Sequence, residues 1–353
     1  MKRLVPMILA VLLVACETET DPTAELIAAL PDESIFEIEL PGESEDGVMG
    51  RIDAPLIGRP SGMRDLVRGV RRFLGTSLRG FLDHIDRVTA TRPALETPDR
   101  VLWRLRAPGG DKEYGVVLNR LGNGRIGLSA WLRPVRTNGA PVPWRFLMAG
   151  TMTDAAGVAR GSLWLDLDND LHPRSRGKML VLWSLGARRL LEVTVFNGTP
   201  DDDEVGRLTR TYRFEATADG GSLTFDAGEV DVHLLPSKAG KERVRVAARW
   251  RNQDPAYRAD YAAIGPEVAR DGFRALLGGE CWSPPDASIE YEQRLGLPGN
   301  GDPAVTLWEE GDRQRCPYPA QEVPIVPAPG AEPTLPMQPR DLDDLEALDT
   351  QTP

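Results

Sequence analysis

The chain has 353 residues, of which 41% are hydrophobic and 27% charged, enough apolar sequence to bury the core of one large or two ordinary domains. Its net charge of −11 disfavours nucleic acid as a partner, because an acidic surface repels phosphate backbones. Anionic lipid head groups are repelled for the same reason, so we expect membrane attachment to depend on an anchor rather than on a basic surface.

Residues 1–15 have the layout of a secretory signal peptide. Lys2 and Arg3 give a positive start, and the apolar run over residues 4–14 follows at once. A helix that spans a bilayer needs about 20 residues, so this run is too short to be one. We therefore predict export and removal of the signal peptide.

The end of the apolar run, Leu13-Val14-Ala15-Cys16, resembles the lipobox of bacterial lipoproteins. The resemblance implies cleavage before Cys16 and a membrane anchor of lipid on that cysteine; the alternative is an ordinary cleaved signal with an incidental cysteine. Buried acyl chains anchor a protein stably, since each CH₂ contributes roughly 0.8 kcal/mol. Glu17 follows the cysteine, which by the sorting rule of enterobacterial lipoproteins implies the outer membrane. We expect a cell-envelope protein that faces the periplasm or the surface.

Lipidation of Cys16 would leave two cysteines, Cys281 and Cys316. An even number of thiols in an oxidising compartment predicts one disulfide. The bond would close a loop of about 35 residues and stabilise the fold by roughly 3–4 kcal/mol on the loop-entropy model. The alternative is two free buried thiols, and a metal site is disfavoured because no histidine lies near either cysteine.

Residues 16–33 are polar and acidic and predict a lipid-anchored flexible tether. Residues 61–88 carry a long amphipathic helical pattern, with apolar residues three and four positions apart. Ser61 is placed to cap its N-terminus. Six arginines lie opposite the apolar stripe, namely Arg64, Arg68, Arg71, Arg72, Arg79 and Arg87. We expect this helix to pack on a sheet with its arginines outward; the alternative is a helix lying on a membrane.

Between residues 101 and 307 the apolar pattern changes to a period of two. Hairpin signals separate the alternating segments, as in Gly122-Asn123-Gly124 and in residues 154–157 and 219–221. Roughly ten to twelve antiparallel strands follow, with one apolar face and one wet face. Residues 255–277 differ, because Tyr257, Tyr261 and later apolar residues fit a helix in part.

These segments predict a single β-rich domain over residues 34–316 of the α+β class. It is mostly antiparallel, a curved sheet or half-open barrel, with one long N-terminal helix. The layout over residues 61–310 resembles envelope lipoproteins and carriers, such as the lipoprotein-localisation factors, although no motif is shared. The resemblance implies a curved sheet that cups an apolar ligand.

Residues 317–353 change in composition. Eight prolines fall between Pro317 and Pro339, and an acidic end follows. Proline-rich chain cannot form a sheet ladder or a helix interior. We predict a solvated, disordered tail with a transient helix at Leu342, Leu345 and Leu348; the alternative is a tail that binds a partner.

Catalytic motifs are not found: there is no nucleophile elbow, P-loop, zinc-protease motif or dinucleotide fingerprint. His84, His172 and His233 have no ligand spacing. Residues 166–170 resemble the start of a calcium loop, but Leu171 stands where glycine is needed and Gly177 where glutamate is needed. That segment fits a strand entering a turn better. We predict no catalytic residue, no metal ligand and no cofactor.

Three functions remain. The first is a non-enzymatic binding module for an apolar ligand or lipid, which needs a cavity of hundreds of Å³. The second is a structural or assembly lipoprotein that docks an envelope partner, which needs a filled core and an exposed apolar patch. The third is an envelope enzyme, which needs a cleft with convergent titratable groups.

Overall fold

The computed structural model describes residues 22–30, 35, 38, 40–41, 62–106, 112–135, 142–155, 158–169, 177–198, 208–230, 242–253, 255–284, 288–324 and 339–351. The predicted signal peptide, Cys16, the predicted cap residue Ser61, His172 and His233 lie outside the described residues. The described helices are α1 (Pro22–Ala28), α2 (Gly62–Thr89), α3 (Pro266–Arg270) and α4 (Pro339–Gln351). The strands are β1 (Leu95–Thr97), β2 (Arg100–Arg106), β3 (Lys112–Gly122), β4 (Arg125–Pro134), β5 (Arg145–Ala155), β6 (Val158–Asp166), β7 (Lys178–Leu185), β8 (Arg189–Gly198), β9 (Leu208–Ala216), β10 (Gly220–Val230), β11 (Glu242–Arg251), β12 (Tyr257–Ile264), β13 (Phe273–Trp282), β14 (Ile289–Pro298) and β15 (Val305–Gly311).

All fifteen strands form one antiparallel sheet in chain order, with β1 and β15 at its two edges. The predicted antiparallel architecture is confirmed, as an open curved sheet with more strands than the ten to twelve expected. Part of the difference is at residues 255–277, which were predicted to be partly helical. They form β12 and β13, and only α3 between them is helical. Tyr257 and Tyr261 are four residues apart, a spacing that fits one face of a strand as well as one face of a helix.

Connections of an antiparallel meander alternate between the two ends of the sheet. The turns β1–β2, β3–β4, β5–β6, β7–β8, β9–β10, β11–β12 and β13–β14 therefore lie at one end, which we call the short-turn end. The β3–β4 turn is the predicted Gly122-Asn123-Gly124 hairpin, and Asn123 and Gly124 have φ of 53° and 67°. Positive φ at both central residues is what a type I′ turn requires. We call the opposite end the long-loop end.

The inner face of the sheet surrounds the helical residues that come before it in the chain. One apolar cluster joins Leu26 of α1 and the buried side of α2 to inner-face residues of β2–β13. Met63, Val67 and Ile85 of α2 are each at most 2% exposed. Trp103 on β2 is fully buried, and its Nε1 donates a hydrogen bond to the carbonyl oxygen of Thr91 at 3.0 Å. The hydrophobic effect on this face thus holds the helices and the sheet together.

The outer face is not exposed to solvent everywhere, although the sequence predicted a sheet with one apolar face and one solvent-exposed face. A second apolar cluster covers the outer side of β2–β8, and we call it the outer patch. Its buried residues on the strands are Leu102, Val117, Trp131, Phe146, Ala149, Trp164 and Phe196, and Trp144, just before β5, joins them. Leu345 of α4 is fully buried against these residues.

The docking of α4 combines one apolar and one polar contact. A side chain added at Gly115 would meet Leu345 at 2.4 Å, so the glycine makes room for the leucine. Asp341 is 1% exposed and accepts hydrogen bonds from Asn119 Nδ2 at 3.1 Å and from Ser129 Oγ at 2.7 Å. Its Oδ1 also lies 3.0 Å from Arg100 Nη2. The expected disordered tail therefore does not describe residues 339–351.

The first part of the C-terminal segment also packs on the outer face. The predicted disulfide between Cys281 and Cys316 is present, with 5.5 Å between the Cα atoms. Beyond it, the backbone N–H of Gln321 donates to Asp260 Oδ2 at 3.1 Å, and Val323 is buried against outer-face residues of β11–β13. Proline excludes regular secondary structure from this stretch but does not prevent side-chain contacts.

No described helix is long and apolar enough to cross a membrane.

Candidate ligand-binding site

A cavity of about 690 Å³ opens at the short-turn end, on the inner side of the sheet. Three consecutive turns form part of its wall: Gly186 and Ala187 in β7–β8, Thr217 and Ala218 in β9–β10, and Asn252 in β11–β12. Ligand sites in proteins usually have volumes of 300–1,000 Å³. The cavity is therefore large enough to hold a small molecule or part of a lipid.

Aromatic rings line the cavity and continue from it along the inner face. Phe214 and Trp250 both contact the cavity, and their ring centroids lie 6.0 Å apart in a stacked arrangement. The stack continues from Trp250 to Tyr257 at 6.2 Å and from Tyr257 to Trp282 at 5.4 Å. Trp250, Tyr257 and Trp282 lie on the neighbouring strands β11, β12 and β13, whereas Phe214 lies on β9, on the far side of β10. Two rings of this row, Phe214 and Trp250, form the apolar part of the cavity wall.

The N-terminal segment closes one side of the cavity. Leu40 and Pro41 line it, and the carbonyl oxygen of Pro41 accepts a hydrogen bond from Tyr257 Oη at 2.5 Å. Leu40 is 6% exposed and belongs to the inner-face cluster. The segment that follows α1 is thus part of the site.

Two arginines line the cavity, Arg71 from α2 and Arg189 from β8. We expected every arginine of the helix to point outward. That expectation is wrong for Arg71, which faces the cavity, and for Arg68, which is only 8% exposed. The curved sheet wraps more of α2 than a flat sheet would, so residues beside the apolar stripe are also enclosed. The site combines aromatic surface with guanidinium groups and suits an amphipathic anion.

A cluster of charged side chains is buried in the inner face, away from the cavity. Glu280 and Glu292 are cross-strand partners on β13 and β14, and both are at most 2% exposed. Arg294 Nε donates to Glu292 Oε1 at 2.6 Å. Burial lowers the pKa of Arg294, but the charges of Tyr261, Glu292 and Glu280 outweigh it and leave that pKa raised. The backbone N–H of Met63 donates to Glu280 Oε2 at 3.4 Å, so this group holds the first turn of α2.

The residues that resembled a calcium loop form a turn, as the alternative interpretation predicted. Asp166 ends β6 and accepts hydrogen bonds from the backbone of Asp168 and the side chain of Asn169, at 3.1 Å each. Asp168 Oδ1 accepts from the backbone of Gly177 at 3.0 Å. Burial raises the pKa of Asp166. Across the described residues, no three His, Cys, Asp or Glu side chains are placed to hold a metal ion together.

Sequence reasoning missed the cavity, although it placed one of its residues. The period of two between residues 101 and 307 predicted one apolar face, and Trp250 of β11 lies on it. No signal marked Leu40, Arg71 or Arg189 as members of one site, because they come from three separate segments. The lipidation site, Cys16, lies outside the described residues and remains a prediction.

We found no significant match to the chain among protein-family models, curated proteins or solved structures.

Proposed function

We propose that the chain is a lipid-anchored, non-enzymatic binding module of the cell envelope that holds an amphipathic lipid in the cavity at the short-turn end. The cavity is the main support for this proposal. It has a volume of about 690 Å³ and is lined by the stacked rings of Phe214 and Trp250 and by two arginines. The curved sheet does not itself cup the ligand, since α2 and the apolar cluster fill its inner face. The apolar part of the ligand contacts the rings, and an anionic group pairs with Arg71 and Arg189.

Native mass spectrometry of a soluble form tests the binding function. The form begins at residue 17 and so carries neither the signal peptide nor Cys16. Exported behind a cleavable signal peptide of the bacterial host and purified from the periplasm, the mature form should retain a lipid-sized mass that organic solvent removes. Protein of bare-chain mass that also fails to take up an added fatty acid would contradict the proposal.

A matched pair of arginine variants tests the proposed anion contact. Arg188 and Arg189 are adjacent, but Arg188 pairs with Glu215 on the outer side, whereas Arg189 lines the cavity. Arg189→Gln should weaken binding of a fatty acid about tenfold, since losing a charged hydrogen bond costs about 1.4 kcal/mol or more. Arg188→Gln should bind as the unaltered protein does. Equal affinities of the two variants for the fatty acid in a fluorescence titration would show that Arg189 does not contact the ligand.

The anchor is tested separately in cells. Metabolic labelling with a palmitate analogue should mark the full-length chain and not its Cys16→Ser variant. Fractionation should find the labelled protein with the outer membrane. An unlabelled full-length chain would contradict the anchor and leave the cavity argument standing.

The second candidate, a structural or assembly lipoprotein that docks an envelope partner, is favoured by the edge strand β15. All seven of its residues are exposed, including Val305 at 49% and Trp308 at 38%. An exposed edge strand can pair with a strand of another protein. In-cell crosslinking from Leu307 should then capture an envelope protein, and a Thr306→Pro variant should lose it. No crosslinked product would speak against docking through β15.

A further inference from the structure

The start of α1 and the cavity lie at the same end of the sheet. Glu25 of α1 pairs with Arg120 at 2.6 Å, and Arg120 lies two residues before the end of β3 at the β3–β4 turn. Arg120 Nε also donates to the carbonyl oxygen of Pro98 in the β1–β2 turn at 3.1 Å. Thr23, near the start of α1, hydrogen-bonds Glu96 on β1. The start of α1 is thus fixed to the short-turn end, where the cavity opens.

The tether between the anchor and α1 is much shorter than residues 16–33. Pro22 begins α1, and Leu26 is fully buried, so only residues 17–21 separate Cys16 from a docked helix. Fully extended, these residues span about 20 Å from Cys16 to Pro22 at 3.3–3.6 Å per residue. A ten-residue strand is about 33 Å long. The tether therefore cannot reach past the strands to place the long-loop end against the bilayer.

We propose that the anchored protein turns the mouth of the cavity toward the bilayer that holds its anchor, and that its ligand is an anionic lipid taken from that bilayer. This proposal rests on the proposed lipid-binding function. It goes further by naming the bilayer as the source of the lipid and by giving the orientation of the folded domain on that bilayer. The N-terminal segment links the two features, because α1 begins only six residues after Cys16 while Leu40 and Pro41 line the cavity. A lipid leaving the bilayer would meet Arg71 and Arg189 with its head group and the aromatic rings with its chains.

Energy transfer in liposomes tests the orientation. Single cysteines replace Arg188 in the β7–β8 turn and Asn300 in the β14–β15 turn, which are exposed and lie at opposite ends of the sheet. Each lipidated full-length variant carries a donor dye and is reconstituted with a short-range acceptor on the lipid head groups. Transfer from Arg188→Cys should exceed transfer from Asn300→Cys about twofold or more, because the two ends differ by about 33 Å. Equal or reversed transfer would overturn the orientation.

A spacer variant supplies the control. Twenty Gly/Ser residues inserted after Asp21 lengthen the tether and leave the body unchanged, so the difference between the two dye positions should disappear. A difference that persists with the spacer would show that something other than the short tether sets the orientation, and would overturn the argument from its length.

The source of the lipid is tested with the same liposomes. A fluorescent anionic phospholipid in the bilayer should load into the lipidated protein faster with the natural tether than with the spacer. Equal loading would overturn capture from the anchoring bilayer. The soluble form distinguishes failure of this proposal from failure of the proposed function. If the soluble form binds lipid but the orientation or loading result is negative, only the further proposal fails. If the soluble form binds no lipid, the proposed function itself fails.

Discussion

The inner and outer faces of the sheet are stabilised in different ways. On the inner face one continuous apolar cluster runs from α1 and α2 across β2–β13. On the outer face apolar residues form two separate patches, and each is covered by part of the C-terminal segment. Polar rows lie between them, such as Arg213 between Glu192 and Glu215.

The difference shows how a single open sheet can be covered on both sides. The described residues of α1, α2 and the segment between them fill the concave side, and Val323 and α4 cover apolar patches on the other side. Burial on the inner face ties together elements from the whole chain, so its loss should unfold the protein globally. Contacts of α4 involve few elements, so their loss should act locally.

The largest effect is expected from truncation on the inner face. Trp103→Ala should lower the free energy of unfolding by about 3–5 kcal/mol, because it removes a fully buried ring and its hydrogen bond to Thr91. Urea denaturation of the soluble form measures this. Leu307→Ala, on an exposed part of β15, is the control and should change stability by less than about 0.5 kcal/mol. Similar losses for both variants would contradict the assigned core.

The disulfide should have the next largest effect, because it fixes the start of the outer C-terminal segment. Replacing Cys281 and Cys316 together by alanine should cost about 3–4 kcal/mol. Urea denaturation of the unaltered protein with a reducing agent should reproduce that loss. If alkylation without reduction labels both thiols of the native protein, the bond is absent.

A smaller and local effect is expected where α4 docks. Leu345→Ala should weaken the docking of α4 by about 2–3 kcal/mol, since it leaves a cavity beside Gly115. Amide exchange should accelerate in α4 and beneath it on β3, while the urea midpoint of the whole domain changes little. If Leu345→Ala shifted the urea midpoint as much as Trp103→Ala does, the outer-face contacts of α4 would contribute to global stability as the inner face does, and the comparison would fail.

The smallest effect concerns a buried ion pair on the outer face. Burial raises the pKa of Glu113, but the hydrogen bond from Arg133 and the charges of Arg104 and Arg133 outweigh it, so that pKa lies below its usual 4.5. A lowered folded-state pKa adds stability above pH 4.5 that is lost as the pH falls below it. Glu113→Gln should therefore cost about 1–3 kcal/mol at pH 7 and less as the pH falls.

The matched control for this charge is Glu192, whose partner Arg213 is half exposed. Glu192→Gln should cost less than about 1 kcal/mol at pH 7, because solvent screens exposed ion pairs. Urea titrations at several pH values compare the two variants. If Glu113→Gln kept its full cost well below pH 4, the ion pair would not be the cause.

Local signals in the sequence predicted the sheet well. The period of two between residues 101 and 307 predicted strands with one apolar face, and Val244, Val246 and Trp250 of β11 are all buried on it. The Gly122-Asn123-Gly124 turn was predictable because its positive φ angles demand these residue types. Each of these features is decided by neighbours in the chain or by a directly paired strand.

The rest depends on contacts between distant segments. The C-terminal residues looked disordered by composition, but Asp341 finds Arg100, Asn119 and Ser129, more than 200 residues earlier in the chain. The cavity likewise exists only where the N-terminal segment, α2 and three turns meet. No local sequence pattern predicts contacts between segments so far apart in the chain.

Blocking the cavity tests the central claim most directly. Ala187 lines the cavity from an exposed turn, and its neighbour Arg188 does not. Ala187→Trp should fill the mouth and weaken binding of a fluorescent fatty acid to the soluble form at least about tenfold, while Arg188→Trp binds as the unaltered protein does. Unchanged affinity in Ala187→Trp, with both variants folded, would mean that the ligand lies elsewhere and would contradict the account.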